Sequence, residues 1–212
     1  MKRILFQGDS ITDAHRSRDN DEFPGSGYPN LLKAKIGCDF PCDYECLNRG
    51  ISGDRVVDVY ARIKRDILLL KPDILSVLIG INDVWHELAA QPNGVDAEKF
   101  EMVYDLLLDE VKNALPDCRL VVLEPFVLKG HATENTAEMP DRFDYFRREV
   151  DLRRLAALRV SQKHGATFVP LQESFDRACE LAPASHWLMD GVHPTSAGHE
   201  LIAREWLKNV KL

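Results

Sequence analysis

Five residues in the sequence have the side-chain types that acyl transfer requires. Ser10 carries a hydroxyl, His193 an imidazole and Asp190, three residues before it, a carboxylate. A serine hydroxyl becomes an effective nucleophile when a histidine takes its proton, and an aspartate can fix the tautomer of that histidine. We therefore predict Ser10 as nucleophile, His193 as base and Asp190 as its partner.

The same chemistry needs hydrogen-bond donors, because the tetrahedral intermediate carries negative charge on oxygen. The backbone amides of Ser10 and Gly53 and the side-chain amide of Asn82 are the predicted donors. A glycine suits this role because its backbone can approach a ligand closely.

Each of these residues also has a purely structural explanation. Ser10 is typical of a turn or helix cap, Gly53 of a loop and Asn82 of an Asx turn. His193 and Asp190 are each compatible with an ordinary loop. Only their joint occurrence, at comparable places in the predicted fold, favours the catalytic interpretation.

Other polar residues near these positions are interpreted as structural. Asp9 is predicted to be a scaffold acid and Asp83 to start a helix or accept a structural hydrogen bond. The six remaining histidines lack an obvious acid or serine partner in the sequence and are predicted to be surface or satisfied groups: His15, His86, His131, His164, His186 and His199.

Short apolar runs alternate with amphipathic stretches along the chain, which predicts a parallel sheet with helices on both faces. The predicted strands are 3–8, 43–50, 73–80, 119–125 and 166–170, and the predicted helices are 55–70, 96–114, 143–164 and 196–209. Ligands of such sheets bind beyond the carboxyl ends of the strands. The candidate residues follow strands or precede the last helix, so we expect them at one sheet edge.

No linker, repeat or low-complexity segment divides the chain, so we expect one domain over 1–212. Two polar stretches, 13–27 and 129–142, are longer than simple connections. Loops of this length are often functional, so both are candidates for a rim or lid, and plain surface insertion is the alternative.

Composition excludes several classes of protein. The 212 residues include 27 basic and 34 acidic ones, a net charge of −7, so nucleic-acid binding is not expected. No apolar run approaches the length of a membrane span or a signal peptide, which predicts a soluble, cytoplasmic protein without a membrane partner. The five scattered cysteines are expected to be buried or half-buried free thiols, and no metal site is predicted.

Four blocks of the sequence resemble those of the SGNH (GDSL-type) hydrolases. They are GDSIT at 8–12, NRGISG at 48–53, GIND at 80–83 and DGVHPTSAGH at 190–199. The resemblance implies a three-layer α/β/α sandwich with a five-stranded, flavodoxin-like parallel sheet. It also implies the same roles for Ser10, Gly53, Asn82, Asp190 and His193, with no cofactor. The serine lacks the Gly-x-Ser-x-Gly elbow, which argues against the α/β-hydrolase fold.

A closer resemblance, to the intracellular acetylxylan esterases of this superfamily, rests on GDSITD, GYP, NRGISGDRV, GINDVWHE and DGVHPTSAGH. It implies deacetylation of small carbohydrates such as xylo-oligosaccharides. It also implies that Tyr28 and Trp85 form the walls of the acetyl pocket, although both aromatics are compatible with the core. The oligomeric state stays open, and a homo-oligomer is compatible with the sequence.

Two other functions remain open at this point. A thioesterase or lysophospholipase of the same superfamily would accept a longer acyl chain. A non-catalytic carbohydrate- or nucleotide-binding module would keep the fold without the reaction.

Overall fold

The computed structural model describes all 212 residues, Met1–Leu212, and is built on one five-stranded sheet. The strands are β1 (Lys2–Gly8), β2 (Tyr44–Asn48), β3 (Ile74–Leu78), β4 (Arg119–Leu123) and β5 (Thr167–Val169). All pair in parallel, in the spatial order β2-β1-β3-β4-β5. This is the flavodoxin-like order, and each predicted strand is confirmed to within a few residues at its ends.

Ten α-helices and two 3₁₀ turns complete the fold. The helices are α1 (Ser10–Asp13), α2 (Tyr28–Asp39), α3 (Val56–Ala61), α4 (Ile63–Asp66), α5 (Ile81–Trp85), α6 (Ala97–Ala114), α7 (Arg142–Lys163), α8 (Gln172–Ala178), α9 (Ala184–Trp187) and α10 (Ser196–Asn209). The 3₁₀ turns are Leu68–Leu70 and His86–Leu88. The helices predicted over 96–114, 143–164 and 196–209 are confirmed.

The helix predicted over 55–70 is wrong as a single element, because the chain breaks it into α3, α4 and a 3₁₀ turn. Arg62 and Ile67 leave helical geometry at the two breaks. The Arg62 guanidinium reaches back to the Asp54 carboxylate at 2.7 Å and to the Arg49 carbonyl oxygen at 2.8 Å. These contacts to the segment after β2 coincide with the first break in the helix.

Both faces of the sheet are covered, which produces the three layers. Successive side chains of a strand point to opposite faces. Ile4 and Phe6 of β1 therefore lie in one apolar cluster, with Trp206 of α10, while Leu5 lies in the other, with Leu107 of α6. Burial on both faces explains why the strands read as nearly continuous apolar runs.

The structure bears on two expectations from composition, the lack of a membrane-spanning helix and the burial of the cysteines. No helix has the length and apolarity needed to cross a membrane. The cysteine prediction is wrong at two positions: Cys46 and Cys118 are buried and Cys179 is half-buried, but Cys38 and Cys42 are exposed. The last two lie at and just after the end of α2, where the chain turns at the surface towards β2.

Candidate active site

The chain turns sharply after β1 and presents Ser10 at the carboxyl end of the sheet. Asp9 caps α1, and its Oδ1 accepts a hydrogen bond from the Ile11 amide at 3.0 Å. Ser10 is the first residue of this short helix and is half-buried. β1 lies beside β3, where the strand order reverses, and this is the point at which open parallel sheets bind ligands.

Ser10, His193 and Asp190 form a continuous hydrogen-bonded chain. The Ser10 Oγ lies 2.9 Å from His193 Nε2, and His193 Nδ1 lies 2.7 Å from Asp190 Oδ2. The first of these contacts joins residues 183 positions apart, and the second joins residues three apart. The structure thus brings the three predicted side chains together in the order that proton transfer from a serine requires.

The Asp190 carboxylate is held by its own turn. Its Oδ1 accepts hydrogen bonds from the amides of Val192 at 2.9 Å and His193 at 2.8 Å. Partial burial would raise the pKa of Asp190, but the bonds from the His193 ring and from these two amides outweigh it and lower the pKa to about 2. Asp190 is therefore ionised at neutral pH, and its second oxygen is free to accept from the imidazole.

The hydrogen bond to Asp190 raises the pKa of His193 above its usual value of 6.5, against the opposing effect of burial. An ionised acceptor at Nδ1 stabilises the imidazolium form and keeps the neutral ring protonated on that nitrogen. The lone pair of Nε2 then faces the serine hydroxyl.

Three groups around Ser10 have N–H hydrogens that are not donated to any acceptor in the protein. Neither the Ser10 amide nor the Gly53 amide donates to an acceptor in the protein. The Asn82 side-chain nitrogen donates one hydrogen to the Asp54 carbonyl oxygen at 3.1 Å, which leaves its second hydrogen available. Gly53 has a φ of +87°, and no atom lies within 4 Å of the position its Cβ would take. Glycine suits this left-handed backbone, and the space beside it is open.

The loop that carries Gly53 is held in place by the last residue of α1 and by the segment that follows it. The Asp13 carboxylate is buried and accepts hydrogen bonds from the Ser52 amide at 3.0 Å and hydroxyl at 3.1 Å. Arg16 and Arg18 donate to the Gly50 carbonyl oxygen at 2.8 and 3.0 Å. The predicted loop 13–27 therefore supports the glycine block as well as lining a cavity described below.

The start of the other long segment, 129–142, packs against Asp190. The Ala132 amide donates to the Asp190 carbonyl oxygen at 3.0 Å, and the Leu128 amide donates to that of Gly191 at 2.9 Å. A Cβ on Gly130 would lie only 2.3 Å from the Asp190 carbonyl carbon. Part of this segment thus supports the turn that holds the acid, and it lines neither of the two cavities at Ser10.

Two cavities meet at Ser10, Ser52 and His193. The first, which we call the polar cavity, has a volume of about 510 Å³, and its further lining includes His15, Ser26, Met189, Thr195 and His199. The second, the tryptophan cavity, has a volume of about 390 Å³ and is lined by Gly53, Asn82, Trp85, His86, Leu88 and Ala89. Gly53 and Asn82, two of the three donor residues, therefore line the tryptophan cavity.

The two aromatic residues predicted as pocket walls have different positions. Trp85 lines the tryptophan cavity, with its ring 5.9 Å from that of His193 and in edge contact with Phe146 at 6.1 Å. The prediction for Tyr28 is wrong, because this side chain is fully buried in the core. Its hydroxyl lies 3.0 Å from Thr12 Oγ1 and its ring packs edge-on against Phe6. Tyr28 starts α2 on the face that covers the sheet, so it cannot reach the cavity.

Asp9 and Asp83 are structural acids, as predicted. Asp83 accepts from the Val56 amide at 3.1 Å, and burial raises the pKa of both carboxyls to about 7. One oxygen of Asp9 is buried without a hydrogen-bond partner.

The sequence pattern predicts His199 as a surface or satisfied histidine and does not place it at the candidate site. This residue is 8% exposed and lines the polar cavity. The signal for its burial was available, since it shares one face of α10 with Ile202, Ala203 and Trp206, at spacings of three and four residues.

Comparisons with known proteins agree with this geometry. The GDSL-like lipase/acylhydrolase family model matches residues 6–201. The acetylxylan esterase of Geobacillus stearothermophilus is 29% identical over 217 residues, which cover 99% of this chain and 94% of that protein.

Solved structures give the same result. A Parabacteroides merdae protein assigned as a GDSL-like lipase superposes with a TM-score of 0.88 at 39% identity, covering 98% of this chain and 94% of that one. The Geobacillus stearothermophilus acetylxylan esterase Axe2 superposes with a TM-score of 0.85 at 28% identity, covering 98% and 93%. The chain therefore belongs to the GDSL-like lipase/acylhydrolase family of carboxylic ester hydrolases.

Proposed function

We propose that this acylhydrolase is a serine esterase that removes acetyl groups from small carbohydrates through an acyl-enzyme on Ser10. The observation that carries the proposal is the unbroken chain from Ser10 Oγ to His193 and Asp190, set beside three hydrogen-bond donors. A serine, a base, an orienting acid and an oxyanion site are the parts of a two-step acyl transfer.

In the first step, the Ser10 oxygen attacks the ester carbonyl while His193 Nε2 takes the hydroxyl proton. The negative oxygen that forms accepts hydrogen bonds from the amides of Ser10 and Gly53 and from the Asn82 side chain. Collapse of this intermediate breaks the bond to the alcohol, and His193 returns the proton to the departing oxygen. Asp190 stabilises the imidazolium in between.

In the second step, water takes the place of the alcohol. His193 accepts a proton from the water as its oxygen attacks the acyl carbonyl, and the same donors hold the second oxyanion. The carboxylic acid leaves and the proton returns to Ser10, which restores the resting arrangement.

The choice of substrate is supported by the relatives and by the two cavities. The Geobacillus relative is named an acetylxylan esterase, and structures of it with a serine or an aspartate replaced by alanine are described as catalytic mutants. In this chain the apolar wall of Trp85, Leu88 and Ala89 lies on the side of the oxyanion donors, which suits an acyl group. The other side is polar, which suits an alcohol with several hydroxyls.

The first test is the Ser10→Ala variant, assayed with 4-nitrophenyl acetate and with partially acetylated xylo-oligosaccharides. We expect loss of nearly all turnover of both esters without loss of the fold, because Ala cannot form the acyl-enzyme. The exposed Ser185 makes no side-chain hydrogen bond in the protein, so Ser185→Ala is a matched control that should keep full activity. Retention of activity in Ser10→Ala would refute the mechanism.

The second test varies the acyl chain from acetate to octanoate on one aryl alcohol. Fastest turnover of the acetate supports the acetyl assignment. Faster turnover of octanoate would favour a thioesterase or lysophospholipase reaction, and no turnover of any ester by folded protein would favour a binding module.

A further inference from the structure

The side chain of His199 is buried beside Ser10 in a way that fixes its tautomer. Its Nδ1 accepts a hydrogen bond from the Tyr28 amide at 3.2 Å. A nitrogen that accepts an amide hydrogen carries no proton, so in the neutral ring the proton lies on Nε2. Burial, helped by the nearby positive charge of His193, lowers the pKa of His199 to about 4. His199 therefore stays neutral, with an N–H at Nε2, throughout the neutral pH range.

That N–H has no partner in the protein. His199 Nε2 is also not one of the fully buried atoms that lack a partner, which are Asp9 Oδ2, the Tyr104 hydroxyl and Arg153 Nε. An unpaired atom outside that group is accessible from outside the protein core. Because Nε2 forms no bond within the protein and the residue lines the polar cavity, this nitrogen is open to that cavity. A fixed, unused donor thus lines the same cavity as the reacting serine and its base.

The rest of the polar cavity is lined by hydroxyls and histidine rings. No Lys, Arg, Asp or Glu lines it, and the hydroxyls of Ser26, Ser52 and Thr195 do. A phosphate or a carboxylate would find no Lys or Arg here, and a quaternary ammonium would find neither a carboxylate nor an aromatic cage. The lining instead matches a neutral molecule with several hydroxyl groups.

Part of the wall of the polar cavity is held in an unusual backbone conformation. Ala14 and His15 are consecutive residues with φ values of +39° and +63°, which side-chain-bearing residues seldom adopt. The Ala14 carbonyl oxygen accepts from both the amide and the hydroxyl of Ser26, at 2.8 and 3.2 Å. Strained backbone of this kind persists only where surrounding contacts fix it, and here it fixes the position of His15 at the cavity rim.

We infer that the polar cavity is the subsite for the alcohol part of the ester, and that His199 Nε2–H donates a hydrogen bond to a hydroxyl oxygen of an uncharged polyol bound there. This inference rests on the proposed serine esterase reaction and adds to it a specificity-determining residue. The alcohol oxygen that leaves the acyl carbon takes its proton from His193, and a neighbouring hydroxyl of the same sugar then lies within the cavity that His199 lines. The donor selects for alcohols that offer such a hydroxyl.

The test compares two substitutions that distinguish the role of Nδ1 as an acceptor from the role of Nε2 as a donor. In His199→Asn the side-chain oxygen can replace Nδ1 as acceptor for the Tyr28 amide, but nothing replaces the Nε2 donor. In His199→Gln the longer side chain places an N–H near the position of Nε2. The readout is the ratio of kcat/KM for mono-acetylated xylobiose to kcat/KM for 4-nitrophenyl acetate, whose alcohol offers no second hydroxyl.

We expect the ratio to fall about three- to tenfold in His199→Asn, the range for one net hydrogen bond, and to fall less in His199→Gln. Replacement of the exposed His131 by Asn is the matched control and should leave the ratio unchanged. An unchanged ratio in His199→Asn, or equal losses on both esters, would overturn the inference in favour of a structural role.

A second measurement uses only the wild-type protein. The acyl-enzyme formed from 4-nitrophenyl acetate is offered xylobiose, choline or glucose 6-phosphate as an alternative to water, and the acetylated products are counted. Preferential transfer to xylobiose supports the inference. Hydrolysis of the aryl ester with no preference for the neutral sugar would overturn it while leaving the serine esterase intact. Absence of any ester hydrolysis would instead overturn the proposed function.

Discussion

Replacing Asp190 by Asn changes one hydrogen bond of the candidate site and leaves the others in place. In the unsubstituted protein the amides of Val192 and His193 donate to Asp190 Oδ1 at 2.9 and 2.8 Å. The Asn side-chain oxygen can still accept both hydrogen bonds. The nitrogen that replaces Oδ2 can only donate towards His193 Nδ1. The His193 proton then moves to Nε2, the nitrogen 2.9 Å from the Ser10 hydroxyl, and the ring can no longer take the serine proton.

The expected loss follows from that change of tautomer. Turnover should fall about a thousand- to ten-thousandfold, the order expected when the acid of a Ser-His-Asp triad becomes an amide. This corresponds to about 4–5.5 kcal/mol of transition-state stabilisation. The free energy of unfolding should change much less, because the two backbone hydrogen bonds of the turn are kept.

A pH profile of kcat/KM gives an independent observable. The reaction needs neutral His193, so activity rises with pH through the pKa of His193 in the free enzyme. The hydrogen bond to Asp190 is the largest cause that raises this pKa, and burial opposes it. Without that bond the acid limb of the profile should move to lower pH, while the plateau falls.

The assay is the hydrolysis of 4-nitrophenyl acetate between pH 4 and 9 by both forms of the protein, with Asp117→Asn as a control at an exposed acid. Full activity in Asp190→Asn, or a large loss with the acid limb unmoved, would refute the assignment of Asp190 as the partner of the base.

Three further predictions concern the residues around this chain. In Asn82→Ala, kcat should fall about a hundred- to a thousandfold, the range for one oxyanion donor, as measured by steady-state kinetics; unchanged kcat would contradict the role of Asn82. Gly130→Ala should lower kcat and move the acid limb in the same direction as Asp190→Asn, since its Cβ would lie 2.3 Å from the Asp190 carbonyl carbon; a normal pH profile would contradict the supporting role of this loop. The pKa of Asp83 is about 7 in the fold and 3.8 ordinarily, so between these pH values the folded chain holds a proton that the unfolded chain has lost, and the free energy of unfolding falls as pH rises. Asp83→Asn should remove this contribution, about 1.4 kcal/mol per pH unit, and denaturant titrations that show an equally steep pH dependence would contradict it.

The strands and the positions of the candidate residues were predictable because they depend on local patterns. Two-sided burial makes each strand an apolar run, and in a parallel sheet the residues after each run share one edge. Ser10 and Asn82 follow neighbouring strands for this reason, and Asp190 is only three residues from His193.

Other features depend on contacts between distant segments and had no local signal. The break at Arg62 coincides with bonds to Asp54 and Arg49, and the packing of Gly130 against Asp190 joins residues 60 positions apart in the sequence. The burial of Tyr28 depends on which face of α2 covers the sheet. The fixed tautomer of His199 depends on a single amide 171 positions away.

The very different sequence separations within the candidate site have a consequence for partial unfolding. The base and its acid form one local turn, closed by amides of that turn, whereas the nucleophile joins them across 183 positions. Detachment of the last segment from the sheet would leave the His193–Asp190 pair intact and separate it from Ser10. Catalysis therefore requires a contact that spans 183 positions of the chain, whereas the largest cause of the raised His193 pKa is a residue only three positions away.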